Sequence, residues 1–158
     1  MSSYKELETK LNKEASKHTS GDINSIIEEL IEFETAAVFA HSADISEARK
    51  ISAVKGFAKD TYLNVRDSIY AISPENVVNL ATTLDRKNHD YGNSFDKLAD
   101  KYGDVAMSIR ISDKLSRLQS LAKSGKNEVK ESMEDTLVDI LGYLLLIINY
   151  KGETGIDN

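Results

Sequence analysis

The chain has no cysteine and no tryptophan, and it has one proline, Pro74, in 158 residues. Without cysteine there can be no disulfide, no thiolate metal site and no cysteine nucleophile. A single proline and only seven Tyr and four Phe argue against a strand-rich, turn-rich fold. Basic charge is not in excess: the net charge is −6, and no basic stripe with interleaved aromatics appears, so stable nucleic-acid binding is not expected. There is no glycine-rich phosphate loop, which excludes a P-loop or Rossmann site. His89 has no triad partners at useful spacing, and Ser132 lacks a nucleophile-elbow context. No apolar stretch opens the chain, so no signal peptide is expected. The longest apolar run, near Leu137–Ile148, is too short to span a bilayer and contains Asp139. No membrane association and a cytoplasmic location are expected.

What is present is helical patterning over most of the length. With 41% hydrophobic and 29% charged residues, the chain can bury a core under a polar surface. The expected fold is all-α, a bundle of about five to six helices. Residues Ser2–Lys17 read as a short charged helix. Asp22 is set to cap a second helix over Ile23–Ala43. A third, started by Asp44 or Ser46, runs to Ile72. Its apolar residues from Ile45 to Ile72 form one narrow seam, which suggests a hairpin arm or a homo-oligomer interface, dimer or higher. Gly56 within it suggests a close helix contact. Ser73 as cap and Pro74 at the first helical position divide residues 1–73, an N-terminal packing or oligomerisation extension, from a functional domain over 74–150. A fourth helix is expected over Glu75–Asn88, with Gly92 and Asn93 as the break. A short helix follows over Phe95–Lys101, ended by Gly103. A fifth helix over Val105–Lys123 is capped by Asp104, and a sixth covers Glu128–Tyr150. Residues 151–158 read as a flexible tail.

The sixth helix poses the chemical question. Leu137, Ile140, Leu141, Leu144, Leu145, Ile147 and Ile148 cover most of its circumference, so it should be buried. Glu131, Asp135 and Asp139 lie on one face at one-turn spacing and run into that apolar zone. A buried carboxylate must be paired or bind a metal. Two answers stay open. One is an ion pair with a Lys or Arg of a neighbouring helix. The other is a divalent cation, where oxygen-only ligands suit Mg²⁺ or Mn²⁺ rather than zinc. The fifth helix sets Arg110, Asp113, Lys114 and Arg117 on one face. Asp90, Tyr91 and Ser94 fall at the helix end and loop before it. Carboxylates beside guanidinium and ammonium groups suit a metal-bound polyphosphate, with a carboxylate orienting an attacking water. Glu29 and Glu32 have E-x-x-E spacing, which reads first as a solvated acidic face.

Three motifs carry a resemblance. They are Lys87-Asn-x-Asp90-Tyr91-Gly92-x-Ser94-Phe95, Ile109-Arg110-x-x-Asp113-Lys114-x-x-Arg117-Leu118, and Glu131-Ser132-x-x-Asp135-Thr136-Leu137-x-Asp139 followed by Tyr143. Over about Glu75–Tyr150 the chain resembles the nucleotide-modification-associated domain family of the first type. Members occur in phages and bacteria, often near nucleotide-metabolism genes. The resemblance implies an all-α, MazG-like domain and a Mg²⁺-dependent nucleotide pyrophosphohydrolase acting on a (deoxy)nucleoside triphosphate or a modified nucleotide. It implies Glu131, Asp135 and Asp139 as metal ligands and catalytic carboxylates, with Asp113 and Asp90 completing the site. It implies Lys87, Arg110, Lys114 and Arg117 toward phosphates, with Asp90, Tyr91 and Ser94 also contacting substrate. The MazG-like pattern is E-x-x-E on one helix and E-x-x-D on the next, whereas the sixth helix here has i, i+4, i+8 spacing. The competing expectation is a non-catalytic nucleotide- or protein-binding module in which Asp135 and Asp139 pair with Arg110 or Arg117.

Overall fold

The structure, a computed structural model, describes residues 3–15, 21–91, 93–124 and 129–152, with side chains for all of these except 15, 88–91 and 129–131. Eight helices and no strand occur among the described residues. They are α1 Tyr4–Ala15, α2 Ile23–Ser42, α3 Glu47–Ile72, α4 Pro74–Val78, α5 Leu80–Tyr91, α6 Ser94–Tyr102, α7 Asp104–Ser124 and α8 Val129–Asn149. The all-α expectation holds, with more helices than the five to six anticipated.

One of the extra helices has a local cause. The helix expected over Glu75–Asn88 is two helices, α4 and α5, divided at Asn79. The Asn79 side-chain amide donates to the Glu75 carbonyl at 3.2 Å, taking the acceptor that continuous helix would offer the Asn79 backbone N–H. That N–H turns to Val77 instead. Other ends follow the sequence. Asp22 accepts from the Ser25 N–H at 2.9 Å and Ser46 from the Arg49 N–H at 3.2 Å. Ser73 precedes Pro74 but makes no side-chain cap bond; its hydroxyl accepts from the Asn76 amide. Asp104, expected as a cap, is the buried first residue of α7, tied to His41 of α2. The expected tail falls mostly on residues 153–158, outside the described residues.

Four long helices make the bundle. α2 packs on α3 and α7, and α8 packs on α3 and α7. The core is continuous across them: Leu30, Val54, Ala58, Ile69, Met107, Ile111, Leu118, Leu141 and Leu144 have essentially no exposure. α1 lies on α3, α5 and α8, and its first amides donate to the Asp85 carboxylate of α5, an anion at a helix N-terminus. The middle of the α3 seam packs inside the chain: Val54, Ala58, Tyr62, Val65 and Ile69 all enter the shared core, while Ile45 at its start stays exposed. Gly56 faces open space and marks no close contact. Lys55, buried at 3% exposure, donates to the Tyr150 carbonyl at the end of α8, where a cation is favoured.

Gly103 joins α6 to α7 at φ +78°, a conformation that costs a side chain about 1–2 kcal/mol. A Cβ there would sit 2.1 Å from the Glu47 carboxylate oxygen, which accepts the Asp104 N–H at 3.2 Å. Gly103→Ala should thus lower unfolding free energy by at least about 1–2 kcal/mol in urea titration. A variant as stable as the parent would show that the turn does not need this backbone.

Candidate functional site

The residues expected to meet substrate come from three helices that the chain separates by about twenty to fifty positions. In the fold, α5, α6, α7 and α8 enclose one cleft of about 220 Å³. Its lining is Leu84 and Lys87 from α5, Ser94, Phe95 and Leu98 from α6, Arg110 from α7, and Tyr143 and Leu146 from α8. The local reasons are periodicities: Leu84/Lys87, Phe95/Leu98 and Tyr143/Leu146 are three-residue steps that put both members on one helix face. Asn93 turns the chain into α6 with φ 60°, the left-handed region that Asn tolerates, and makes no side-chain cap bond. The first amides of α6 are left uncapped by Asn93, and Ser94 at their head lines the cleft.

Leu84, Phe95, Leu98 and Leu146 form an apolar floor. Lys87 and Arg110 are exposed, so their charges stand at the mouth. Among the described residues no carboxylate lines the cleft, although the chain as a whole is acidic. Such a pocket attracts an anion and shelters a ring. Its volume is below the roughly 300 Å³ of a pocket that engulfs a small ligand.

α7 and α8 run antiparallel, and the site continues along them. Arg110 and Tyr143 meet at the cleft. One turn further along each helix, Lys114 Nζ lies 3.1 Å from Asp139 Oδ2. This step of about 5–6 Å carries the polar seam from the cleft up the α7–α8 surface. Asp139 is not buried: its side chain is 52% exposed, and Asp135 is exposed one turn before it. The apolar residues of α8 do point into the bundle on nearly every side. The remaining stripe, through Asp135, Asp139, Tyr143 and Leu146, is the one that faces outward. Burying a charge costs more than burying any of these apolar side chains gains, so the helix is rotated to put its carboxylates in water.

The structure thus unites Lys87, Ser94 and Arg110 in one cleft and brings Lys114 to Asp139. Arg117 and Asp113 are exposed on α7, and neither lines the cleft. The side chains of Asp90, Tyr91 and Glu131 lie outside the described residues. Asp139 pairs with Lys114, which meets the expectation of a Lys or Arg from a neighbouring helix, though the partner is neither of the arginines Arg110 and Arg117 named for the binding-module alternative. Leu98 and Leu146 complete the walls without having been singled out from sequence; their three-residue steps from Phe95 and Tyr143 were the available signal.

Two further clefts differ in character. One of about 190 Å³ between α2 and α3 gathers Glu29, Glu32, Asp60 and Asn64, with Asn64 donating to Glu29 at 2.9 Å. The E-x-x-E pair therefore lines a cleft with residues of α3 rather than forming a fully solvated face. Another of about 390 Å³ lies among Glu47, Asp100, Tyr102 and Tyr150, where the Tyr150 hydroxyl is committed to Asp100. Neither holds any residue expected to meet substrate. Among the described residues no three His, Asp or Glu side chains converge as a cation cage. None of the described helices is long and apolar enough to cross a membrane.

Residues 87–150 match the family model described as nucleotide modification associated domain 1. The match starts later than the expected Glu75 and ends at the same Tyr150. It contains every residue that lines the α5–α8 cleft except Leu84. No curated protein and no solved structure matches the chain.

Proposed function

We propose that this chain binds a (deoxy)nucleoside triphosphate, or a modified one, in the α5–α8 cleft and hydrolyses it to the monophosphate and pyrophosphate. One observation carries the reading: Lys87 and Arg110 stand over an apolar floor, free of carboxylates among the described residues, inside the segment matched to a nucleotide-modification-associated domain. In this reading the base or sugar lies against Phe95, Leu98 and the Tyr143 ring. Lys87, Arg110, Ser94 and the uncapped α6 amides receive the phosphates. Arg–phosphate contact is directional and two-pronged, whereas Lys87 acts as a point charge.

Asp135 and Asp139 are too few for an all-protein metal cage. They do suit Mg²⁺ that arrives with the nucleotide, since Mg²⁺ is commonly held by one or two carboxylates plus substrate phosphates. Bound there, the ion would supply charge neutralisation at the phosphate oxygens. Asp113, one turn from Arg110, is the exposed carboxylate on α7 for orienting a water. The water oxygen forms a bond to the α-phosphorus, the bond to the bridging oxygen breaks, and pyrophosphate leaves with the electron pair. The water proton passes to a carboxylate.

A second reading is favoured by the Lys114–Asp139 pair. If that pair is permanent, Asp139 is no ligand and the chain is a nucleotide-binding module without turnover. Thermal unfolding with Mg²⁺ and each deoxynucleoside triphosphate, with pyrophosphate followed in the same wells, separates the two. A rise in midpoint with pyrophosphate release is expected. A rise without release supports the module, and no rise with any nucleotide rejects both.

A further inference from the structure

The Lys114–Asp139 pair has a place and a strength that suggest a use. It joins the two helices that supply Arg110 and Tyr143, one turn away from both. Lys114 is three-quarters buried and Asp139 half exposed, at 23% and 52%. Water reaches the carboxylate side of the pair and screens the contact, which is therefore a weak one. A contact this weak is displaced by a stronger one. A nucleoside triphosphate in the cleft brings several negative charges within a turn of Lys114, against the single charge of Asp139.

We infer that Lys114 is an internal stand-in for the metal: it occupies Asp139 in the free protein and releases it when nucleotide phosphate draws the ammonium away, so that nucleotide and metal load together. This rests on the nucleotide reading of the cleft and adds the order of events to it. The exchange is a swap of partners. Lys114 passes from carboxylate to phosphate, and the carboxylate passes from ammonium to divalent cation. Every charge has a partner before and after. With Lys114 in place, a cation approaching Asp139 alone meets a positive charge 3.1 Å from the carboxylate oxygen and is repelled. Nucleotide must then raise metal affinity, and metal must raise nucleotide affinity by the same factor.

Simple bridging of a metal between Asp139 and phosphate would also couple the two ligands. The distinguishing quantity is metal affinity without nucleotide. Bridging leaves it independent of Lys114; the stand-in makes Lys114 its main opponent.

The test is a Mn²⁺ titration followed by electron paramagnetic resonance of the free ion. It uses the full chain, with and without a non-hydrolysable α,β-methylene deoxynucleoside triphosphate. Lys114→Met is expected to tighten Mn²⁺ binding without nucleotide by up to about fivefold, the upper worth of a surface pair. The factor by which nucleotide strengthens Mn²⁺ binding should shrink by the same amount. Lys114→Gln, which keeps a polar tip, should behave alike, and Asp139→Asn should abolish the Mn²⁺ site in every background. Unchanged Mn²⁺ affinity in both Lys114 variants, with nucleotide still binding the parent chain, overturns the stand-in and leaves the cleft reading intact. Failure of the parent chain to bind the analogue overturns the cleft reading itself.

Discussion

Replacing Lys87 and Arg110 together by Ala is expected to weaken nucleotide binding by at least about 100-fold, because each loses a charge-assisted contact worth about 1.5–3 kcal/mol. The two residues come from different helices and meet only at the mouth of the cleft. Both are exposed, so their removal leaves no buried charge unpaired and should leave the fold unchanged. Calorimetric titration of the α,β-methylene analogue in the presence of Mg²⁺ measures the effect. Arg117→Ala is the control. Arg117 carries the same charge on the same helix, yet it does not line the cleft, and its loss should alter affinity by less than about threefold, the scale of an exposed charge contact. Equal losses at Arg117 and at the cleft pair would mean that general positive charge on α7, not this cleft, holds the anion. That outcome would remove the main support for the proposed function.

The largest stability effect belongs to the core of α8. Leu144 has no exposure, and its truncation to Ala should cost about 3–5 kcal/mol, the transfer term plus the cavity left behind. Asp139→Asn, five residues earlier, should cost less than about 1 kcal/mol. The contrast is the point. A carboxylate set deep in the core would cost several kcal/mol when its partner was broken. A half-exposed one tied only to Lys114 should cost little. Urea unfolding of both variants reads the two numbers in one series. If Asp139→Asn proved as damaging as Leu144→Ala, the outward rotation of α8 would be wrong.

This pair of residues also shows where sequence reasoning stops. Both sit in one helix, and the periodicity of Leu137, Ile140, Leu141, Leu144 and Leu145 correctly marks a helix with little free surface. The same count misplaces Asp139. Period alone tells which residues share a face, not which face looks outward; that depends on where the neighbouring helices are. Seven apolar positions leave a narrow stripe, and only the packing of α3 and α7 against the other sides shows that the stripe is open. The α3 seam repeats the lesson. Its three- and four-residue steps are real, but whether such a seam meets a second copy or the rest of its own chain is a question of tertiary contacts, and here Val54, Tyr62, Val65 and Ile69 meet the latter.

The cleft was legible in part. Lys87, Ser94 and Arg110 could be named as polar groups around one substrate because the motifs kept their order and spacing. Their convergence could not be derived, since no local rule sets the distance between α5 and α7. Asn79 was legible only in hindsight: an Asn four residues after a helix start competes for the backbone, but other Asn residues in helices of this chain do not break them. By itself, then, the sequence determined the all-α class, the Asp22 cap, the choice of Asp44 or Ser46 to start α3, the turn at Gly103 and the apolar character of α8. These are consequences of dihedral preference, capping chemistry and helical period, which act within a few residues. Only the tertiary structure decided that Asp139 faces water, that Lys114 and not an arginine answers it, and that Lys87, Ser94, Arg110 and Tyr143 share a cleft. Those depend on how four helices rotate about their own axes to bury apolar surface and spare their charges, a balance struck by the whole bundle at once.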